Sequence, residues 1–215
     1  MPTDPPTSSA ADLQRALDHY GSLAATYDSA TRRIDGVRGK AIARLSLRTG
    51  DVVLDAGCGT GFCFGAIEAA IGTSGHLIGM EPSPEMLARA QQRATDAGWD
   101  NVHLICAAGE EAILPHAPTA ILFSYTHDLL QSAAGLDNLF GQSAPRARIV
   151  ACGSQLFPRW FVPGNWYMRH SHRGYITNFA AFDAPWRHLS TYLDDFAVTR
   201  EWPGERYIAT GVLRS

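Results

Sequence analysis

The sequence predicts an α/β protein with a three-layer, doubly wound and mostly parallel sheet, and three observations carry that prediction. Short β-rich runs alternate with helical runs from about residue 51 to residue 154. A turn with three glycines, "DAGCGTGF", follows the first of those runs. The C-terminal "DFAVTREWPGERYIATGVLR" instead reads as two strands around Pro203–Gly204, a hairpin and so an antiparallel element. A length of 215 residues suits a single domain, 1–215, with a sizeable core.

The elements follow in order. "MPTDPPTSSA" (1–10) reads as a disordered lead-in, and 11–48 as N-terminal cap helices, with apolar residues at helical spacing in "DLQRALDHYGSLAATYD" and again in "GVRGKAIARLSL". "VVLDA" is the first strand, "FCFGAIEAAIG" a helix ending at Gly72, and "HLIGMEP" the second strand. "SPEMLARAQQRATDAG" is a helix with Ser83 as N-cap, Pro84 in its first turn and Gly98 past its end. "NVHLICA" and "TAILFSY" are the third and fourth strands, "LDNLFGQSA" a short helix and "ARIVACG" the fifth strand. Residues 154–182 form an insertion, and from 157 to 182 it holds eight aromatics in 26 positions. Such a segment is either a satellite core or an aromatic lid; its place after a strand's C-terminal end, where open α/β sheets bind ligands, favours the lid.

Composition narrows the function classes. A net charge of −3 offers no basic field, so nucleic acid is not the expected partner. No apolar stretch approaches the roughly 20 residues of a membrane span, and the N-terminus has neither the basic nor the apolar region of a signal peptide. Four scattered cysteines, with no CxxC pair, read as small buried hydrophobes in a reducing compartment, which places the protein in the cytoplasm.

The glycine turn could cradle several ligands. A dinucleotide site wants G-x-G-x-x-G/A, yet Phe62 occupies the position that should be small. Asp55 at the strand end would repel a pyrophosphate and attract an ammonium group. No Gly-Lys-Ser/Thr follows, which excludes a P-loop. Glu81 stands 20 positions after Gly61, at the end of the second strand, where a carboxylate can accept both hydroxyls of a ribose. An ammonium joined to a nucleoside without a diphosphate describes S-adenosyl-L-methionine.

With these motifs the chain resembles the class I, Rossmann-type S-adenosylmethionine-dependent methyltransferases, in the style of the small-molecule enzymes of ubiquinone and menaquinone biosynthesis. The likeness rests on "YDSATRRI", "VLDAGCGTGF", "GMEPSPEML" and "CAAGEEAILP". It implies a seven-stranded sheet whose last strand is antiparallel. It also implies that Asp55, Gly57, Cys58, Gly59 and Gly61 hold the methionyl part, Glu81 the ribose, and Pro82 and Met86 the adenine faces. Ala108 and Gly109 would lie at the adenine edge. Relatives carry an aspartate where Ala108 stands, so Glu110 is the candidate substitute. Tyr20 and Tyr27 match a segment that packs over the cofactor, where an aromatic ring can face the sulfonium; ordinary packing is the alternative for each.

The acceptor side is read from "FSYTHD". Ser124 and Tyr125 should lie near the transferring methyl, with His127 and Asp128 beyond. Histidine as a residue type is suited to proton transfer near neutral pH, so His127 is the expected base, the alternatives being substrate orientation or a helix-capping role. Trp160, Asn165, Trp166, His170, Arg173 and Tyr175 are the candidate lid residues over the acceptor. His170 and His172 with His127 or Asp128 lack a convincing ligand constellation, so no metal is expected. The function read here is methyl transfer to a small, flat or partly apolar acceptor, at oxygen or nitrogen more than carbon, leaving S-adenosyl-L-homocysteine, by a monomer or homodimer. The alternatives are a cofactor-assisted cyclisation, decarboxylation or rearrangement on the same fold, or a non-catalytic cofactor-binding protein.

Overall fold

The computed structural model describes residues 35–157, 161–171, 182–201 and 204–215, with the backbone alone over 167–171. The lead-in, most of the cap-helix segment with Tyr20 and Tyr27, and the lid residues Trp160, Arg173 and Tyr175 lie outside the described residues, as does Pro203 of the hairpin.

Helix α1 (Asp35–Arg44) precedes β1 (Val52–Ala56), α2 (Phe64–Ile71) and β2 (His76–Met80). There follow α3 (Pro84–Ala97), β3 (Val102–Ile105), β4 (Ala120–Ser124), the one-turn α4 (His127–Leu130) and α5 (Ala133–Gly141). The chain closes with β5 (Arg148–Ser154), α6 (Val162–Ser171), the short α7 (Leu189–Tyr192), β6 (Leu193–Glu201) and β7 (Arg206–Leu213). The seven strands form one sheet in the order β3-β2-β1-β4-β5-β7-β6. Five neighbours from β3 to β5 pair in parallel, and β7 inserts antiparallel between β5 and β6. The expected architecture and the antiparallel last strand are both present. No helix among the described residues is long and apolar enough to cross a membrane.

Period-two alternation sends successive strand residues to opposite faces. Val53, Leu77, Leu122 and Val150 meet Val37, Ala41, Ile42 and Leu45 of α1 and Phe64, Ile67 and Ile71 of α2. Leu54, Ile78, Ile121 and Ile149 meet Leu130, Leu136, Leu139 and Phe140 on the other face. The result is three layers, with β1, β2, β4 and β5 buried on both sides and edge strand β3 half-buried.

Local signals set the boundaries. Ser83 caps α3, its hydroxyl accepting from the Met86 N–H, Pro84 fills the first helical position and Gly98 ends the helix in the left-handed region. The helix expected from Leu136 in "LDNLFGQSA" begins three residues earlier, because the Ser132 hydroxyl accepts from the Gly135 N–H and starts α5 at Ala133. Within the insertion the chain forms α6, which the aromatic content did not announce. All four cysteines are free; Cys58, Cys63 and Cys152 are buried as expected, but Cys106 is exposed. Cys106 follows the end of edge strand β3, where little of the fold remains to cover it.

Candidate functional site

The site forms where β1, β2 and β4 end, around the loop from Gly57 to Phe62. Alternation along β1 turns Asp55 to the same face as Val53, toward α1. Its carboxylate is 1% exposed, and neither oxygen accepts a hydrogen bond from the described residues. Burial pushes its pKa up to about 7; the Arg38 guanidinium works in the opposite direction, and the Glu81 carboxylate adds to the rise. The structure thus places a buried carboxylate in the same pocket as the glycine loop, with no hydrogen bond to either oxygen from the described residues.

The loop's shape follows from its neighbours. The N–H groups of Gly57 and Cys58 both donate to the Met80 carbonyl, at 2.8 and 2.9 Å, which ties the loop to the end of β2. Glu81 holds it from the other side: one carboxylate oxygen accepts from the Gly59 N–H and the other from the Ser83 N–H, each at 3.0 Å. Burial raises the Glu81 pKa, and those two backbone bonds oppose the rise. Gly61 has φ +72°, and a Cβ there would stand 2.8 Å from the Phe64 ring and 3.2 Å from the Ala90 side chain. The close approach of loop and helices that a dinucleotide fold assigns to a later small residue is made here by Gly61, which leaves Phe62 free to be large.

Phe62 has its own partner. The guanidinium carbon of Arg38 sits 4.9 Å from the Phe62 ring centroid and 5.6 Å from that of Tyr125. Arg38 is only 5% exposed and lines the same small pocket as Asp55, Gly57, Gly59 and Ser124. The sequence reading missed it. The signal was present, because Arg38, Ala41, Ile42 and Leu45 form one helical stripe, and a charge on an otherwise apolar stripe of α1 needs a partner.

At the end of β4, Ser124 lies against the Cys152 thiol, and Tyr125 turns the chain with φ +62°, a strained conformation for a bulky residue. Its N–H donates to the Cys152 carbonyl at 2.8 Å. Burial raises the Tyr125 phenol well above its usual range, and its hydroxyl has no hydrogen-bond partner among the described residues. Tyr125 is therefore a proton-bearing donor at neutral pH and not a base. Thr126 crosses directly over Gly57, and His127 opens α4 with its ring edge-on to Phe182, centroids 4.9 Å apart. His127 and Asp128 do not line the cavity at the glycine loop; they stand one turn beyond it.

The adenine-side residues are distributed differently. Pro82 is half-buried beside Glu81, whereas Met86 is 2% exposed on the inner face of α3. The Ala108 carbonyl accepts from the N–H groups of Glu111 and Ala112, and the Gly109 carbonyl from the Asn138 side chain. Glu110 accepts from the Ser132 hydroxyl at the start of α5. In the insertion, the Asn165 side chain donates to the Phe157 carbonyl at 3.2 Å and Trp166 is 68% exposed on α6. His170 belongs to α6 by its backbone; its side chain lies outside the described part.

Residues 53–141 match the family described as a methyltransferase domain. The seven-stranded architecture is that of solved S-adenosylmethionine-dependent methyltransferases, a likeness of fold. The chain is similar in structure to the N-methyltransferase NodS of Bradyrhizobium japonicum in complex with S-adenosyl-L-homocysteine, with a TM-score of 0.69 and 15% identity over 94% of this chain and all of that one. In sequence it is 31% identical over 137 residues to the malonyl-[acyl-carrier protein] O-methyltransferase of a Methylovorus species, covering 61% of this chain and 45% of that protein. It is 36% identical over 110 residues to protein-L-isoaspartate O-methyltransferase 2 of Archaeoglobus fulgidus, covering 49% and 47%. The chain spans about a third to a half of the curated relatives it matches.

Proposed function

We propose that this protein transfers the methyl group of S-adenosyl-L-methionine to an oxygen or nitrogen of a small-molecule acceptor. The observation that carries the reading is Asp55: a buried carboxylate with no hydrogen bond to either oxygen from the described residues, set beside a glycine loop whose other side is held by Glu81. That pair suits a ligand with an ammonium at one end and a ribose at the other. When bound, the cofactor supplies an electrophilic methyl on a sulfonium.

The chain's own residues do the rest. Asp55 binds the ammonium, and Arg38, facing Asp55 across the same cavity, suits the adjacent carboxylate. Glu81 retains a lone pair on each oxygen for the ribose hydroxyls after accepting from Gly59 and Ser83. Ser124 and Tyr125 flank the reacting end, with the Tyr125 hydroxyl as a donor that orients the acceptor. His127, one residue past Thr126, takes the acceptor's proton if that group begins as a hydroxyl or ammonium. Alignment in a dry site contributes the larger share, on the order of 7–11 kcal/mol in favourable cases. The aromatic segment after β5 supports a flat or partly apolar acceptor, with Trp166 and Asn165 of α6 as its described members. Four free cysteines support a reducing, cytoplasmic setting.

His127→Ala is expected to lower turnover about 100-fold or more with cofactor affinity little changed. Isothermal titration beside steady-state kinetics checks this, and a parallel loss of both would assign His127 to folding. Glu81→Ala is expected to weaken cofactor binding at least about ten-fold and also to lower the unfolding midpoint, because Gly59 and Ser83 lose their acceptor. An unchanged dissociation constant would remove Glu81 from the ribose site.

A further inference from the structure

The opposite end of the sheet carries a second cluster of chemically capable side chains. His76 opens β2, His103 is the second residue of β3, and His116 lies on the connection from β3 to β4. Ile78 pairs with His103 in the parallel register, and His76 shares a face with Ile78 two residues on. Both imidazoles therefore project from one side of the sheet, and the 106–119 connection brings His116 back over them. The His76 and His116 rings stack with centroids 4.3 Å apart and planes 25° from parallel. His103 lies 5.3 Å from His76 and 5.0 Å from His116 by ring centroids.

The nitrogens converge. Nδ1 of His76 is 3.1 Å from Nε2 of His103, and one nitrogen from each ring lies within 4.8 Å of the other two. Two imidazole nitrogens bound to one tetrahedral zinc ion, at about 2.0–2.1 Å each, stand roughly 3.3 Å apart. The first pair is thus at ligand spacing already, and side-chain rotation of half-buried His116 closes the third. Among the described residues no carboxylate belongs to the cluster, which disfavours the oxygen-seeking ions magnesium and calcium.

We propose that His76, His103 and His116 form a three-imidazole site for a divalent first-row transition ion of the zinc type, with water completing the coordination. The site is structural. It fastens β2, β3 and the connection that carries the Ala108–Glu110 turn, at the end of the sheet away from Glu81. Four strand rises of about 3.3 Å separate His76 from Met80, so the two sites stand roughly 13 Å apart along β2.

The test uses untagged full-length protein, stripped with chelator, then titrated with Zn²⁺ by calorimetry and with Co²⁺ by visible absorption. The expected result is one ion per chain, a Co²⁺ spectrum of nitrogen ligation, and a higher unfolding midpoint with Zn²⁺. All three should be lost in His103→Ala and in His116→Gln. Unchanged binding of S-adenosyl-L-homocysteine by both variants shows that they fold; His116→Gln, lying outside the sheet, is the safer of the two. Absence of saturable Zn²⁺ binding, binding retained in both variants, or equal binding of Mg²⁺ overturns the proposal. None of these outcomes depends on methyl transfer.

Discussion

Asp55→Asn is expected to reduce affinity for S-adenosyl-L-methionine by about 100-fold or more while leaving the unliganded protein at least as stable above neutral pH. The loss follows from removing one partner of a desolvated ion pair, which typically costs about 3–5 kcal/mol in a buried setting. The stability follows from linkage. Asp55 has a folded-state pKa near 7 against an ordinary 3.8, so between those values the native state keeps a proton that the unfolded chain has released. Its contribution to stability is complete below about pH 3.8 and is lost as pH rises through about 7. Asparagine keeps the shape without the charge and escapes that loss. An ammonium ligand favours the ionised carboxylate, so wild-type affinity should climb through neutrality while the variant's stays flat. Calorimetric titration on both sides of pH 7, with thermal melts of the free proteins, checks the two halves separately. Equal affinities with parallel pH profiles would sink the assignment of Asp55 to the ammonium.

Gly57→Ala is expected to abolish activity and to destabilise the fold by about 2–4 kcal/mol. Gly57 has φ +77°, a conformation that costs a residue with a Cβ roughly 1–2 kcal/mol. A Cβ would also stand 2.2 Å from the Thr126 methyl and 3.3 Å from its Cβ, so the β1 loop and the β4–α4 turn must part. The collision names its own rescue. Thr126→Ser removes the methyl, so the double variant should recover part of the lost stability, with a coupling of about 0.5–3 kcal/mol in a double-mutant cycle. Denaturant melts of the four proteins measure it. Additive losses would mean that the strained backbone alone, and not the contact with Thr126, makes glycine necessary.

Most of the fold was legible because its signals are local. Ser83, Pro84 and Gly98 mark α3 by cap chemistry, and the Gly204 turn marks the β6–β7 hairpin, whatever surrounds them. The placement of two carboxylates at one end of the sheet was legible for a related reason. Asp55 and Glu81 sit at or just past the ends of strands β1 and β2, which pair in parallel, so strand order alone brings both to one end of the sheet. The residues that were missed depend on contacts between distant segments. Arg38 joins the site because α1 packs across β4, β5 and β7, Thr126 matters because its methyl covers Gly57, and the three histidines meet through a strand register and a returning connection. Glu110, read as an adenine contact, accepts from Ser132 at the start of α5, a partner 22 positions away.

By itself the sequence determined the layered architecture, the antiparallel last strand and the place of the glycine turn after the first strand, because periodicity, caps and turn residues act within a few positions. Tertiary structure decided the protonation of Asp55, the partner of Phe62 and the position of His127 beyond the cavity. Each of these is a property of burial or of approach between segments far apart in the chain. Desolvation in particular has no sequence signature: the same aspartate on an exposed strand end would be an ordinary carboxylate, and only its burial raises its pKa.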